Sequence, residues 1–254
     1  EVTIILPVYS PNYKFLKECL SSIESQTISK NHFDLLIGCD GRINNKIRGL
    51  LDNYVEKNDF AKYKIFHRGG LKNTLNKLVN LCDTKFIARM DADDVMENNR
   101  LEFQLNFLKN NPDVKLLGTA IRLFPNKKFN IKYHPTNTFT ILLFGAIYGN
   151  PFSHPTIMCE SKIIKKILYT HESPYEDYAL WCKFAKFGKL KNINNPLLKY
   201  RVHEMQISSK KLSYKKMIKI RISYAKIFFS KYKFVSFFIL PIFILLFLPH
   251  KRTI

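Results

Sequence analysis

Three carboxylates follow a mostly apolar run in the first half of the chain. Residues 86–90 have the composition of a buried strand, and Asp91, Asp93 and Asp94 come just after it. Side chains two positions apart on a strand point the same way, so Asp91 and Asp93 can offer oxygens to one ligand. Hard oxygen ligands suit Mg²⁺ or Mn²⁺, which bind through one or two carboxylates plus substrate phosphates. The segment predicts a metal site; the alternative is a solvated acidic turn, and we expect Asp94 to cap the following helix.

A second acidic pair, Glu176 and Asp177, lies late in the sequence. An apolar helix is predicted directly after it, over residues 178–187. Repulsion between two neighbouring carboxylates raises the pKa of one of them, whereas a helix N-terminus lowers the pKa of both, so the sequence leaves the net direction open. The pair suits proton-transfer chemistry, and the alternative is a charge cap at the start of a helix.

The elements that must position these groups alternate along the first half of the chain. Short β-type runs at residues 2–8, 34–39, 62–66, 85–90 and 114–123 are separated by segments with helical periodicity. The clearest helix covers residues 100–109, where Leu101, Leu105 and Leu108 share one face. This alternation predicts an α/β fold with a mainly parallel, Rossmann-like sheet that binds ligands at its carboxyl edge.

The second half of the chain is less regular and ends in a basic segment followed by an apolar one. Residues 210–233 are basic and helical in pattern, and residues 234–248 are almost wholly apolar, although Pro241 interrupts them. The apolar run is shorter than the roughly 20 residues that span a bilayer. We therefore expect shallow insertion at an anionic membrane surface, or else a terminal helix that docks on the core.

The composition constrains the partners and the compartment. Lysine and arginine number 41 against 20 acidic residues, a formal net charge of +21, so the partners should be anionic. No nucleic-acid recognition motif is present and the basic residues concentrate in the tail, so nucleic acid is not the expected partner.

The five cysteines show no C-x-x-C pair or zinc-ligand spacing, which favours a reducing cytosol. The chain opens at Glu1 and runs into an apolar stretch without the pattern of a signal peptide, and we expect that it has been trimmed or lacks its first residues.

Several short motifs resemble, in order, those of the family-two glycosyltransferases, and the resemblance spans about residues 2–208. They are residues 4–9 (IILPVY), 19–27 (CLSSIESQT), 37–41 (IGCDG), 88–94 (ARMDADD), 176–181 (EDYALW) and 199–204 (KYRVHE). Each motif alone is weak, whereas their shared order is specific. The resemblance implies the glycosyltransferase A-type fold and inverting sugar transfer.

The resemblance implies a nucleotide site at the first motifs, where Pro7, Tyr9 and Asp40 would contact the base and ribose of the donor. An aromatic face can stack on a base, and a carboxylate can accept the imide N–H of uracil. It also implies that Asp91 and Asp93 hold the donor ribose and a Mn²⁺ or Mg²⁺ ion bound to the diphosphate. Such an ion neutralises charge as the nucleoside diphosphate departs.

The later motifs imply the remaining roles. Inverting transfer needs a base that takes the proton of the acceptor hydroxyl, and Asp177 is the candidate. Arg201 would bind phosphate, and His203 would join the metal shell, with a structural role on the strand as its alternative. His154 lies in a matching stretch at residues 150–156 (NPFSHPT), where we expect loop structure or an acceptor contact.

These inferences predict a catalytic domain over residues 1–208 and a membrane-associating tail over residues 209–254. Residues 1–124 would bind the nucleotide-sugar and residues 125–208 the acceptor. We expect transfer of a hexose or N-acetylhexosamine from a UDP-sugar to a glycan or lipid-linked acceptor, at the cytoplasmic face of the plasma membrane. The alternative is an α/β module that binds nucleic acid or anionic membranes without catalysis. A glycoside hydrolase also uses two carboxylates, but it needs no divalent ion.

Overall fold

The computed structural model describes residues 1–125, 130–170, 175–203 and 214–233. Within these ranges, strands and helices alternate along the first half of the chain. The strands are β1 (Val2–Val8), β2 (Phe33–Asp40), β3 (Ala61–Phe66), β4 (Phe86–Arg89), β5 (Val95–Met96), β6 (Val114–Phe124), β7 (Ile131–Lys132), β8 (Met158–Glu160) and β9 (Lys189–Arg201). The helices are α1 (Tyr13–Glu24), α2 (Asn45–Lys57), α3 (Gly70–Leu81), α4 (Arg100–Asn110), α5 (Thr138–Ile147), α6 (Ser161–Ile167), α7 (Glu176–Phe184) and α8 (Tyr214–Lys231).

These strands form one sheet in the order β3-β2-β1-β4-β8-β6-β9-β5, with β7 beside β6. Strand β1 pairs in parallel with β2 and β4, β2 with β3, and β6 with β9. The short strands β5, β7 and β8 pair antiparallel to their neighbours. The predicted α/β fold with a mainly parallel sheet is confirmed, and the carboxyl end of β1 lies between those of β2 and β4.

The sheet is covered by helices on both faces. Ile4 and Leu6 of β1 belong to one apolar cluster together with Leu16 of α1, whereas Ile5 belongs to a second cluster together with Leu78 of α3. Successive side chains of a strand point to opposite faces. The uninterrupted apolar sequence of β1 therefore follows from having a buried layer on each side.

The strands predicted in the first half are present, with ends within one residue of the predicted bounds. Helix α4 begins at Arg100 as predicted, and its face of Leu101, Leu105 and Leu108 is buried. The predicted late helix is displaced, because α7 begins at Glu176 and ends at Phe184. Acidic side chains are favoured in the first turn of a helix, where they face its unpaired N–H groups, so the pair at 176–177 belongs inside α7 rather than before it.

Helix α8 packs on the same face of the sheet as α5 and α7. Tyr224 is fully buried, stacks on Tyr178 of α7 at a ring-centroid distance of 5.1 Å, and donates from its hydroxyl to the Tyr178 carbonyl at 3.0 Å. The predicted basic helix is thus present over Tyr214–Lys231. The apolar run at 234–248 lies outside the described residues, and the division of the chain at residue 208 stays a prediction. Among the described helices, none combines the length and apolarity needed to cross a bilayer.

Candidate functional site

Three of the predicted site residues follow neighbouring parallel strands. Tyr9 follows β1, Asp40 ends β2, and Asp91 comes two residues after the last residue of β4. The backbone N–H of Met90 still bonds to the Ile5 carbonyl at 3.1 Å, which keeps this segment beside β1 beyond the end of β4. The order β2-β1-β4 therefore places all three residues at the carboxyl edge of the sheet, where open α/β sheets bind ligands.

A cleft of about 800 Å³ lies at this edge and contains Tyr9 and Asp40. The Tyr9 side chain is 57% exposed, its hydroxyl accepts a hydrogen bond from Nη2 of Arg68 at 2.7 Å, and the guanidinium of Arg68 lies 5.2 Å from its ring centroid. The residues that line the cleft are Tyr9, Ser10, Pro11, Asp40, Gly41, Arg42, Ile43, Asn44, Ile47, Ile65, Phe66, His67 and Arg68. The cleft thus combines an exposed aromatic ring, a carboxylate and two arginines.

Asp40 and Pro7 are held rigidly beside this cleft. The two carboxylate oxygens of Asp40 accept from the backbone N–H groups of Gly69 at 2.7 Å and Gly70 at 3.0 Å, at the start of α3. Gly70 has φ +80°, a backbone conformation that suits glycine. Pro7 is buried in β1, opposite Gly38 of β2. Asp40 therefore lines the cleft with oxygens that each already accept one hydrogen bond, whereas Pro7 is buried in β1 and is not among the residues that line the cleft.

The carboxylates of Asp91, Asp93 and Asp94 form one cluster, in which one oxygen of each lies within 4.8 Å of the others. Asp91 forms an ion pair with Arg89. Burial raises the pKa of Asp91, with the charge of Arg89 opposing the rise and that of Asp93 adding to it. Burial and the charges of Asp91 and Asp93 raise the pKa of Asp94 well above its ordinary value.

This donor set fits a small divalent cation. Carboxylate oxygens are the ligands that Mg²⁺ and Mn²⁺ prefer, and a cation would offset the burial and the mutual repulsion that raise the pKa values of Asp91 and Asp94. One oxygen of Asp94, Oδ2, is buried and has no hydrogen-bond partner among the described residues. His203 adds a nitrogen, since its Nε2 lies 2.8 Å from Oδ2 of Asp93.

The end of β9 holds the acidic cluster in place. Arg201 donates from its backbone N–H to Asp94 Oδ1 at 2.8 Å and from Nε to the Asp93 carbonyl at 2.7 Å. Its guanidinium also pairs with Glu18 and lies 4.1 Å from the ring centroid of Phe15. The Arg201 side chain is only 9% exposed. A phosphate would therefore have to compete with Glu18 for this guanidinium.

The expectation that Asp94 caps the following helix is wrong. The N-cap position of α4 is Asn99, and Asp94 is 1% exposed and bonded to the β9 backbone. Strand β5, which the sequence pattern did not indicate, lies between Asp94 and the helix and pairs with β9. This pairing draws Asp94 towards Arg201 and away from the start of α4.

Asp177 lies in the first turn of α7 and is 7% exposed. Its Oδ2 accepts from Nδ2 of Asn150 at 2.6 Å, and its Oδ1 accepts from the Tyr178 N–H at 2.6 Å. Burial raises the pKa of Asp177 to about 6, while these two hydrogen bonds and the charge of Arg89 limit the rise. A buried carboxylate with this pKa is ionised at neutral pH and basic enough to accept a proton.

The sequence predicted no catalytic or binding role for Arg89, and for His154 only loop structure or an acceptor contact, yet both residues are buried near Asp177. Arg89, 2% exposed, pairs with Asp91, and its charge also limits the rise in the pKa of Asp177 that burial causes. His154, 8% exposed, has its Nδ1 4.0 Å from Asp177 Oδ2. One sequence signal for Arg89 was available, because a charged residue in a buried strand is rarely without a partner. The position of His154 beside Asp177 depends on a contact between distant segments of the chain, which local sequence patterns do not encode.

Comparison with known proteins gives a family match over most of the chain. Residues 3–182 match the family described as Glycosyl transferase family 2. The O-antigen biosynthesis glycosyltransferase WbnJ of Escherichia coli is 32% identical over 84% of this chain and 84% of that protein. The UDP-Gal:alpha-D-GlcNAc-diphosphoundecaprenol beta-1,3-galactosyltransferase of Escherichia coli is 30% identical over 68% of this chain and 63% of that protein.

Solved structures share the fold at low identity. TarS of S. aureus in complex with UDP-GlcNAc superposes with a TM-score of 0.71 at 15% identity, over 95% of this chain and 75% of that chain. The mannosyltransferase PcManGT from Pyrobaculum calidifontis, in complex with GDP-Man and Mn²⁺, gives a TM-score of 0.63 at 13% identity, over 96% of this chain and 73% of that chain. At these identities the likeness shows a common fold.

Proposed function

The chain belongs to glycosyltransferase family 2 and is a glycosyltransferase, and from this premise we propose its donor, acceptor and catalytic residues. We propose that it transfers a hexose or N-acetylhexosamine, with inversion, from a UDP-sugar to a glycan or lipid-linked acceptor. The observation that carries the proposal is the cluster of three carboxylates within 4.8 Å at the carboxyl edge of the sheet. Such a cluster suits a metal-bound diphosphate.

The donor end of the proposed site uses residues from three strand ends. Tyr9 offers a ring face to the base, and Asp40 offers its oxygens to polar hydrogens of the base or ribose. Asp91 and Asp93 would hold the ribose and, together with His203, a Mn²⁺ or Mg²⁺ ion. That ion, when bound, would supply charge neutralisation for the departing nucleoside diphosphate. UDP-GlcNAc in TarS and Mn²⁺ in PcManGT support this assignment by analogy of fold.

The acceptor end uses Asp177 as the general base. As the acceptor oxygen bonds to the anomeric carbon, Asp177 takes the hydroxyl proton, and the bond between that carbon and the diphosphate oxygen breaks. Asn150 and the Tyr178 N–H fix the direction of the carboxylate. Positioning of this kind makes a base effective, because its oxygen must already lie within hydrogen-bond reach of the hydroxyl.

The names of two relatives support the acceptor class. One relative acts in O-antigen biosynthesis, and the other has a diphosphoundecaprenol-linked acceptor in its name. We propose that this chain likewise meets a lipid-linked or surface-polysaccharide acceptor at an anionic membrane surface, and that α8 supplies part of the contact. The lysines of α8 that are exposed are Lys215, Lys216, Lys219, Lys226 and Lys231.

Calorimetric titration of UDP and Mn²⁺ into three variants tests the site. We expect Asp93→Asn to weaken Mn²⁺-dependent UDP binding by at least about tenfold, because it removes a ligand to the cation. Asp177→Asn should keep that binding. In an assay of sugar transfer, the same variant should be slower by about a thousandfold, because the substitution removes the base. Asp83→Asn changes a side chain that is 97% exposed and serves as the control.

Lost nucleotide binding in Asp177→Asn would overturn the assignment of roles. Thermal-shift measurements with UDP, Mn²⁺, both together or an oligonucleotide test the ligand class. We expect the largest stabilisation with UDP and Mn²⁺ together, and a rise with the oligonucleotide alone would contradict the proposal.

A further inference from the structure

His154 is buried against the acidic pair at the start of α7, although the proposed transfer step makes no use of it. Its Nδ1 lies 3.9 Å from Oε1 of Glu176 and 4.0 Å from Oδ2 of Asp177. Its Nε2 lies 3.0 Å from the hydroxyl of Tyr169. The imidazole also contacts Trp181 edge to face, with ring centroids 5.4 Å apart. One ring nitrogen thus faces the carboxylates and the other faces a phenol.

Tyr169 is a fixed partner for this ring. The side chain of Asn76 on α3 binds its backbone twice, donating to the Tyr169 carbonyl at 2.9 Å and accepting from the Tyr169 N–H at 2.9 Å. Burial raises the pKa of Tyr169 well above its ordinary value, so its hydroxyl keeps its proton. The phenol is therefore available as a hydrogen-bond donor to His154 Nε2.

These contacts select one tautomer of His154. Burial, together with the charge of Arg89, lowers the pKa of His154 well below its ordinary value, so the ring is neutral and carries one N–H. If Nδ1 lacked the proton, its lone pair would face two carboxylates. With the proton on Nδ1, its N–H points at the carboxylates and Nε2 accepts from Tyr169. Both ends of the ring favour the same arrangement.

We propose that His154 is a positioning residue for the base, whose Nδ1–H, fixed by Tyr169, orients and stabilises the ionised carboxylate of Asp177. The proposal rests on the proposed function in one respect, because it treats Asp177 as the base. At 3.9–4.0 Å the contact is an interaction of an N–H dipole with charge rather than a hydrogen bond. In a buried site such an interaction is stronger than in water.

Other groups also act on the charge of Asp177, and the test must hold them constant. Among the described residues, the titratable and charged groups that act on Asp177 or lie beside it are Glu176, Tyr178, His154, Arg89, Tyr169 and Tyr224. Changing His154 or Tyr169 leaves the rest in place. The acid limb of the pH profile therefore reports what the imidazole N–H contributes.

The kinetic test compares His154→Phe, His154→Gln and Tyr169→Phe. In His154→Phe we expect the acid limb of kcat/KM to move up by about one pH unit, equivalent to about tenfold less ionised base below the limb. UDP and Mn²⁺ binding should not change. In His154→Gln, whose amide N–H can replace Nδ1–H, the acid limb of kcat/KM should return part of the way to its native pH. An unmoved limb and unchanged kcat in a folded His154→Phe protein would overturn the proposal.

The second readout does not depend on activity. Nitrogen-15 NMR of labelled histidines, with His154 assigned through His154→Gln, shows which ring nitrogen carries the proton. We expect Nδ1–H in the native chain and a mixture of tautomers in Tyr169→Phe. A proton on Nε2 in the native chain would overturn the proposal. Full transfer activity in Asp177→Asn would instead show that Asp177 is not the base. The tautomer of His154 would be unaffected by that result.

Discussion

At the residue scale, the reactivity of Asp177 depends on opposing environmental effects on one carboxylate. Burial raises its pKa from 3.8 to about 6, while hydrogen bonds from Tyr178 and Asn150 and the charge of Arg89 limit the rise. The folded state therefore binds this proton more tightly than the unfolded chain does. The contribution of Asp177 to stability is present at low pH and is lost as the pH rises through about 6. Ionisation for catalysis thus occurs at some cost in stability.

The activity should follow this pKa in the opposite direction, because a general base works only when deprotonated. We expect kcat/KM to rise about tenfold per pH unit up to the pKa of Asp177, about 6, and then to level off. Initial rates between pH 4.5 and 8 at saturating Mn²⁺ measure this. UDP binding over the same range is the control, because it separates ionisation of the base from loss of the donor. A flat profile between pH 5 and 7 would contradict the role of Asp177.

At the element scale, the helix that carries Asp177 is held by two other helices. The hydroxyl of Tyr178 on α7 donates to the carbonyl of Gly145 on α5, and Tyr224 on α8 stacks on Tyr178. A Cβ at Gly145 would lie 2.4 Å from two ring atoms of Tyr224. Glycine at this position lets α5 and α8 approach each other, so the packing of α8 affects the helix that carries the base.

Two matched glycine substitutions test this packing. Gly145→Ala should destabilise the protein by about 1–3 kcal/mol, because the methyl group overpacks the contact with Tyr224. Gly49→Ala in α2 is the control, since a Cβ there meets no atom within 4 Å. That change should stabilise the protein by about 0.5–1 kcal/mol, because alanine favours the helix. Urea unfolding measures both, and equal shifts in the two variants would refute the close contact.

Across the whole molecule, one surface that suits a large anionic partner is a face of α8 that carries three exposed lysines. Helix α8 contains no acidic residue, and Lys215, Lys219 and Lys226 are exposed at a spacing that places them along one side. Ile222, 40% exposed, lies among them in the sequence. An exposed cationic face with an apolar side chain suits the surface of an anionic bilayer.

Binding to lipid vesicles tests this face. Reversing the charge of Lys215, Lys219 and Lys226 to glutamate should weaken binding to phosphatidylglycerol vesicles by well over tenfold, because each lysine near such a surface contributes on the order of 1 kcal/mol. Binding to phosphatidylcholine vesicles should be weak throughout. The control reverses Lys57, Lys62 and Lys64, which are exposed on α2 and β3. Equal losses in the two triple variants would show that net charge, and not α8, governs binding.

Local patterns in the sequence were sufficient for the alternation of strands and helices, the bounds of β1 and the start of α4. They also singled out Asp91 and Asp93 as neighbours, although β4 ends at Arg89, so the two residues meet in the segment after the strand and not through the alternation of a strand. The family resemblance rests on the same local motifs, and the family match confirms it.

Contacts between residues that are distant in sequence could be seen only in the folded chain. Asp94 is buried against Arg201 because β5 pairs with β9, and His154 faces Asp177 because separate segments pack on one face of the sheet. These contacts join residues that are far apart in sequence, so they depend on strand order and register, which local periodicity does not encode. The chemical roles open to a side chain therefore follow from its residue type, which the sequence gives. Its charge state and its partners depend on how the sheet is assembled.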